Sequence, residues 1–327
     1  MIKSFEVLNK IPYLHNNKAN LINNPVKLIH KFQCVILLAA GFYLTSCKSS
    51  ASPDYSTWAT YAGTKDGNKY SSNDQININN VTDLQEAWIY NTNDKDTANH
   101  SEMQCNPIVV DGILYGTSPG LKLFALNAAT GDQKWVFDPA ADGTSEKMGF
   151  GISRGVVYWE DEKGADKRIL YGAGSKLYAV NATDGTLVKD FGKSGSIDLR
   201  KNLDRENIEN GSLFVKTPGV IYKDLLIMGT SVSEGAEALP GHITAFDVRT
   251  GKRRWIFHTI PHPGEYGYDT WEDRDAWKKI GGANSWAGMA LDRKTGVVYV
   301  PTGSASPDNP PARRQAPVVL IAIVQRR

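Results

Sequence analysis

Five short segments of this chain carry residue types able to do chemistry. Ile152-Ser-Arg-Gly-Val-Val-Tyr-Trp159 holds Arg154. Its guanidinium fork suits a carboxylate, and the plain alternative is a surface ion pair with Glu160 or Asp161. Ser101-Glu-Met-Gln-Cys-Asn-Pro-Ile108 puts Glu102 on a loop just before a strand, with Cys105 reading as a small buried apolar residue. Gly229-Thr-Ser-Val-Ser-Glu234 closes an apolar run at 220–228. Glu234 there is a loop carboxylate, and Glu237 is an equal alternative. Gly281-Gly-Ala-Asn-Ser-Trp286 presents Trp286, an indole suited to stacking a flat ring or to packing inside a core. His258 and His262 stand four apart, but Pro261 and Pro263 forbid the helix that would align them, so no metal cluster is expected there.

These residues must be positioned by strands. Short apolar or alternating runs at 108–115, 121–126, 155–159, 169–171, 177–180, 220–228, 243–246 and 297–301 are rich in Val, Ile and Tyr and lie between turn signals. Only 273–280 reads as briefly helical. A repeat runs through the strands. Ala125-Leu-Asn-Ala-Ala-Thr-Gly131 is followed by Trp135, and Ala245-Phe-Asp-Val-Arg-Thr-Gly251 by Trp255. Ala179-Val-Asn-Ala-Thr-Asp-Gly185 keeps the frame, with Lys189 in the Trp position. Asn/Asp and Gly make a hairpin turn, and Trp leaves it on the next strand to wedge against a neighbouring unit. The Gly-to-Gly spacings of 54 and 66 residues fit one four-stranded propeller blade plus loops. The expected fold is all-β, a β-propeller of four-stranded W-shaped blades. The residues 49–308 suffice for about four or five of them.

Composition agrees. The 327 residues include 30 Gly, 8 Trp and 14 Tyr, the usage of a turn-rich strand protein. Lys+Arg (37) and Asp+Glu (35) nearly cancel, which argues against a nucleic-acid partner. Three Cys exclude a disulfide scaffold. Lys27, His30 and Lys31 precede an apolar run at 34–44, too short for the about 20 residues of a spanning helix and typical of a secretory signal. Leu44-Thr-Ser-Cys47 resembles a bacterial lipobox, which implies lipidation of Cys47. The expected organisation is a lipoprotein signal over 1–47, a polar tether over 48–53, a propeller segment over 54–308 and an atypical tail over 309–327. The implied location is outside the cytoplasm, as a periplasmic or outer-membrane lipoprotein held to the membrane by its lipid.

The repeat, the opening Trp58-Ala-Thr-Tyr-Ala-Gly-Thr-Lys-Asp-Gly-Asn-Lys-Tyr-Ser71 and the five segments together resemble the pyrroloquinoline-quinone (PQQ) dependent dehydrogenases, nearest the membrane-type glucose dehydrogenases. The family fold is an eight-bladed propeller tied by a tryptophan docking motif. The resemblance covers roughly its N-terminal half, which implies an incomplete ring. It implies PQQ contacts from Glu102, Arg154 and Ser231, with Thr217 a weaker one, Trp286 as the floor under the quinone, and Ca²⁺ on Glu234. PQQ is a flat ortho-quinone with three carboxylates, so such a donor set is chemically apt. Ser304 stands where many alcohol dehydrogenases of the family place an asparagine on Ca²⁺. Met148-Gly149 replaces the adjacent cysteines of the alcohol-type branch. Both departures point to the glucose-type branch.

In the family the general base is an aspartate in a segment beyond this chain's motifs. After Asp308 the text changes: 309–327 holds four Arg and three Pro but no Gly, aromatic or acid. A frameshift near Asp308 is the expectation. The resemblance implies oxidation of glucose or another alcohol, with electrons passed to a membrane quinone or a cytochrome. The competing reading is a non-catalytic lipoprotein propeller that serves as a scaffold or binding module. A scaffold has no reason to carry Glu102, Arg154, Glu234 and Trp286 together.

Overall fold

Three four-stranded antiparallel sheets follow one another along the chain in a computed structural model that describes residues 55–98, 101–141, 151–206, 208, 211–306 and 321–324. The first sheet has β1 (Ile108–Val110), β2 (Ile113–Thr117), β3 (Leu123–Asn127) and β4 (Gln133–Phe137). The second has β5 (Val157–Glu160), β6 (Lys167–Ala173), β7 (Lys176–Asn181) and β8 (Ser196–Asp198). A short strand β9 (Leu213–Phe214) precedes β10 (Val220–Tyr222) and β11 (Leu225–Met228). Strand β12 (Ser231–Val232) precedes β13 (Ile243–Asp247) and β14 (Arg253–Phe257), and the third sheet runs β10-β11-β13-β14. After β15 (Gly281–Gly282), a three-stranded sheet joins β16 (Ala290–Asp292), β17 (Val297–Val300) and β19 (Ile321–Val324), with β18 (Ala305–Ser306) outside it. Sequential order within each sheet is the meander of a propeller blade. Among the described residues there are three whole blades and a three-stranded fourth, and the ring is not closed.

The period of two along each strand places a core on both faces of each middle blade. On β6, Ile169 and Tyr171 pack with Ile108, Tyr115 and Trp135 of the first blade. Leu170 between them packs the other way, with Met228 and Phe246 of the third blade. On β11, Leu226 and Met228 face the second blade while Ile227 faces Leu291 and Val298 of the fourth. Each inter-blade seam is therefore apolar and formed by alternate residues of two sheets.

The repeat frame folds into one turn. The amides of Ala129, Thr183 and Arg249 donate to Oδ1 of Asn127, Asn181 and Asp247 at 2.9, 2.8 and 3.1 Å. Gly131, Gly185 and Gly251 take φ of 74°, 77° and 70°, a region open to glycine. A fourth copy, Ala290-Leu-Asp-Arg-Lys-Thr-Gly296, makes the same turn with Lys294 bonded to Asp292 at 2.9 Å. It joins β16 to β17, the first hairpin of its sheet, whereas the other three follow the third strand of theirs.

Glycine and tryptophan meet at two places. A Cβ on Gly185 would lie 2.7 Å from the Trp135 ring, and one on Gly131 2.6 Å from Trp88. Trp135 Nε1 also donates to the carbonyl of Ala182 at 3.1 Å. In the second blade, which has Lys189 at the docking position, Phe191 lies against Gly251 instead. The brief helix expected at 273–280 is Ala276–Lys279. No helix of the described residues is long and apolar enough to cross a membrane. Cys47, the signal, the tether, Met148-Gly149 and 309–320 lie outside the described residues. Strand β19, in the segment expected to be foreign, pairs with β17 from Val297↔Val324 to Val300↔Ile321.

Candidate functional site: a pocket built between the blades

Two small two-stranded sheets outside the blades position the pocket. Strand β12 pairs with β9, Ser231 opposite Phe214, which brings Ser231 and the loop after it close to Lys216 and Thr217. Strand β15 pairs with β18, Gly281 opposite Ser306, which brings Ser304 alongside the Asn284–Trp286 segment. A third contact ties the two halves: the amide of Gly241 donates to Gly282 O at 2.8 Å. The resulting cavity, about 530 Å³, is lined by Arg154, Lys216, Ser231, Glu234, Trp286 and Ser304, among others.

Arg154 is held from both sides. Its amide donates to Lys216 O at 2.7 Å, and its carbonyl accepts from Asn106 at 3.0 Å. The following Gly155 has φ 150°, and a Cβ there would sit 2.9 Å from the Asn106 carbonyl, so the close approach requires glycine. One guanidinium nitrogen, Nη1, donates to Trp286 O at 2.7 Å and to Thr217 Oγ1 at 3.3 Å. Thr217 Oγ1 in turn donates to Trp286 O at 2.6 Å. The Trp286 backbone is thus clamped while its side chain stays 53 % exposed. Arg154 Cζ lies 5.5 Å from the indole centroid. On the opposite loop, the hydroxyl of Ser306 donates to Glu234 O and, at 3.3 Å, to Gly235 O. Glu234 itself lines the cavity. Glu237, its rival in sequence, bonds Ser233 instead, and that hydrogen bond holds its carboxyl below the usual range.

Of the residues expected from sequence, Arg154, Ser231, Glu234 and Trp286 line one cavity, and Thr217 braces it from behind. Glu102 does not join them. It lies on the exposed loop before β1, where its carboxylate accepts from Gln104 Nε2 at 2.7 Å. Ser304 lines the cavity, as does Asn284, whose amide donates to Thr230 O at 3.0 Å. Sequence reading passed over Lys216 and Asn284. The only signal for either was its place beside a residue already singled out.

The histidines come together after all, through the proline turn rather than a helix. His242, His258 and His262 each bring a ring nitrogen within 4.8 Å of the others. His258 and His262 lie face to face, 3.7 Å between centroids and 8° between planes, so their in-plane lone pairs run side by side rather than converging. His242 Nδ1 accepts the Thr259 amide at 3.1 Å, and His258 Nδ1 is bonded to Glu265 at 2.8 Å. Burial, with the two neighbouring imidazoles, lowers the His242 pKa to about 2 and keeps its ring neutral.

Fold and pocket define a class: a bladed β-propeller with a cavity lined by Arg154, Lys216, Glu234 and Trp286 between loops of neighbouring blades. The chain belongs to the PQQ-type glucose/ethanol/alcohol dehydrogenase β-propeller family, whose model matches residues 58–318. It is 32 % identical to the quinoprotein glucose dehydrogenase of Escherichia coli over 266 residues, covering 77 % of this chain and 32 % of that protein. It is 31 % identical to the dehydrogenase subunit of a quinone-linked alcohol dehydrogenase of Gluconobacter oxydans, over 82 % of this chain and 35 % of the relative. The crystal structure of the quinohemoprotein alcohol dehydrogenase of Comamonas testosteroni superposes with a TM-score of 0.62 at 29 % identity, over 79 % of this chain and 37 % of that one. The chain thus spans about a third of the length of these relatives. The family model is named for PQQ, and the relatives are quinoproteins by name.

Proposed function

We propose that this chain forms the PQQ-holding part of a quinoprotein dehydrogenase that oxidises glucose or another alcohol and passes electrons to a quinone or a cytochrome. The observation that carries it is the open indole of Trp286, clamped through its carbonyl by Arg154 and Thr217 in a cavity that also holds Ser231 and Glu234. The donor set fits the group. A flat ring stacks on an exposed indole at low entropic cost. Guanidinium and hydroxyl groups match carboxylates and quinone oxygens. Glu234 supplies the carboxylate that a hard cation needs, with Ser304 and Asn284 as further oxygen donors, and Ca²⁺ is the ion this set suits.

Bound there, PQQ supplies a two-electron acceptor and the cation supplies Lewis acidity beside it. The chain's own residues bind and orient. Arg154 keeps donors besides the anchored Nη1 for an anionic group in the cavity. Trp286 excludes water from one face of a stacked ring. Glu234 balances the cation's charge. Glu102 is outside this set as the structure describes it, and we assign it no role. Export, and attachment to the membrane through a lipid on Cys47, complete the reading.

The test is binding. Addition of PQQ with Ca²⁺ to the full chain is expected to quench tryptophan fluorescence with saturation, and Trp286→Ala is expected to abolish the change. A wild-type chain with no saturable PQQ binding refutes the reading and favours the scaffold alternative.

A further inference from the structure

Lys216 lines the pocket beside Arg154, and no hydrogen bond or ion pair engages its ammonium group among the described residues. Before it, the amide of Val215 donates to Gly174 O at 3.1 Å. The Lys216 carbonyl accepts the Arg154 amide at 2.7 Å, and the next residue, Thr217, is bonded to Trp286 O. A half-buried lysine on such a rigid base, with no partner of its own, is a cation held in readiness for an anion.

Charge balance gives the anion. The described lining carries two cations, Arg154 and Lys216, and one carboxylate, Glu234, for a net charge of one positive. A ligand with three carboxylates, bound with one divalent ion, brings a net charge of one negative. Within the described lining, the two cancel when Lys216 is counted. Arg154 by itself leaves the lining neutral and the complex one charge short. One Arg154 nitrogen is also committed to Trp286 O and Thr217, which leaves fewer donors for three acidic groups.

We infer that Lys216 is a second anion-holding residue of this pocket and takes one carboxylate of PQQ. The inference rests on the function proposed above. Lys216 acts as a point charge with rotatable donors, so it tolerates variation in carboxylate position. The indole of Trp286 and the fork of Arg154 fix the plane, and Lys216 sets affinity.

The experiment is a PQQ titration of the full chain in Ca²⁺, read by tryptophan quenching, for wild type, Lys216→Met and Lys216→Arg at two salt concentrations. Thermal melting of each variant serves as the folding control. The expected result is about tenfold weaker binding by Lys216→Met and near wild-type binding by Lys216→Arg, with unchanged melting. Wild-type affinity falls as salt rises, and that of Lys216→Met falls less. Wild-type affinity and wild-type salt dependence in Lys216→Met overturn the inference and leave the PQQ reading standing. Equal weakening in both variants also overturns it, because charge is then not what matters. No saturable binding by the wild type overturns the PQQ reading and the inference with it.

Discussion

Trp135 and Trp286 are the same residue put to opposite uses. Trp135 sits in the seam between the first two blades, 8 % exposed, its ring against Gly185 and its Nε1 bonded to the Ala182 carbonyl. Every face of that indole is met by protein. Trp286 has its backbone carbonyl held by two donors and its side chain open to the cavity. One tryptophan closes a seam and the other lines an open cavity. The difference lies in which part of the residue the fold grips: the ring of Trp135, the backbone of Trp286.

Substitution of both tryptophans gives the largest contrast. Trp135→Ala removes a buried indole and is expected to destabilise the chain by about 3–5 kcal/mol in denaturant unfolding. Trp286→Ala removes an open one and is expected to leave the unfolding midpoint nearly unchanged while PQQ binding is lost. Equal destabilisation by both breaks the comparison.

The partner glycine sharpens it. Gly185→Ala forces an L-residue to φ 77° and drives a methyl to 2.7 Å from the Trp135 ring. Left-handed strain and overpacking together predict about 2–4 kcal/mol lost. Gly67, also at positive φ but with nothing within 4 Å, serves as the control, and only the strain is expected there.

On the pocket side, Arg154→Met leaves Trp286 O bonded to Thr217, so stability is expected to change by about 1 kcal/mol or less. PQQ affinity is expected to fall about tenfold or more, because a charged fork is lost. Equilibrium dialysis and a thermal melt separate the two effects.

The smallest effect concerns the turns. Asn127 and Asn181 make the first two copies, whereas Asp247 and Asp292 make the later ones. Partial burial opposes ionisation of Asp247, but bonds from Thr250, Arg249 and Arg254 outweigh it and hold the carboxyl below the usual range. The Thr295 hydroxyl and the Lys294 amide do the same for Asp292. A depressed folded pKa means stability that is present above the unfolded value and lost as pH falls through the folded one. Melting temperature is therefore expected to drop below about pH 4, and Asp247→Asn with Asp292→Asn to flatten that drop. An unaltered acid profile in the double variant counts against the assignment.

Much of this was legible in the chain. Period-two apolar runs and the Asn/Asp-to-Gly frame predict strands, hairpins and blades because side-chain alternation and positive φ are local demands. Arg154, Ser231, Glu234 and Trp286 could be picked out because their segments match a known family. The rest depended on contacts between distant segments. The frame at 290–296 has the same residues as the others, yet it closes a different hairpin of its sheet, since a turn sequence does not record which strands it joins. Phe191 takes the docking place that Lys189 leaves, two residues on, and no spacing rule foretold it. His242, which no motif singled out, meets His258 and His262 across the fifteen residues that separate it from His258, and the proline turn brings the latter two together without a helix.

The sequence by itself determined the local grammar: where chains turn, which faces are apolar and which residues have the chemistry for an anion, a cation or a flat ring. Only the tertiary structure decided which of them share one space. It joined Lys216 to Arg154 through a backbone hydrogen bond, brought Ser231 near them by pairing β9 with β12, and left Glu102 on an exposed loop with Gln104. The physical reason is that turns and strand faces follow from neighbours a few residues apart. A pocket depends on long-range pairings of two-residue strands, which are too short to announce themselves in sequence.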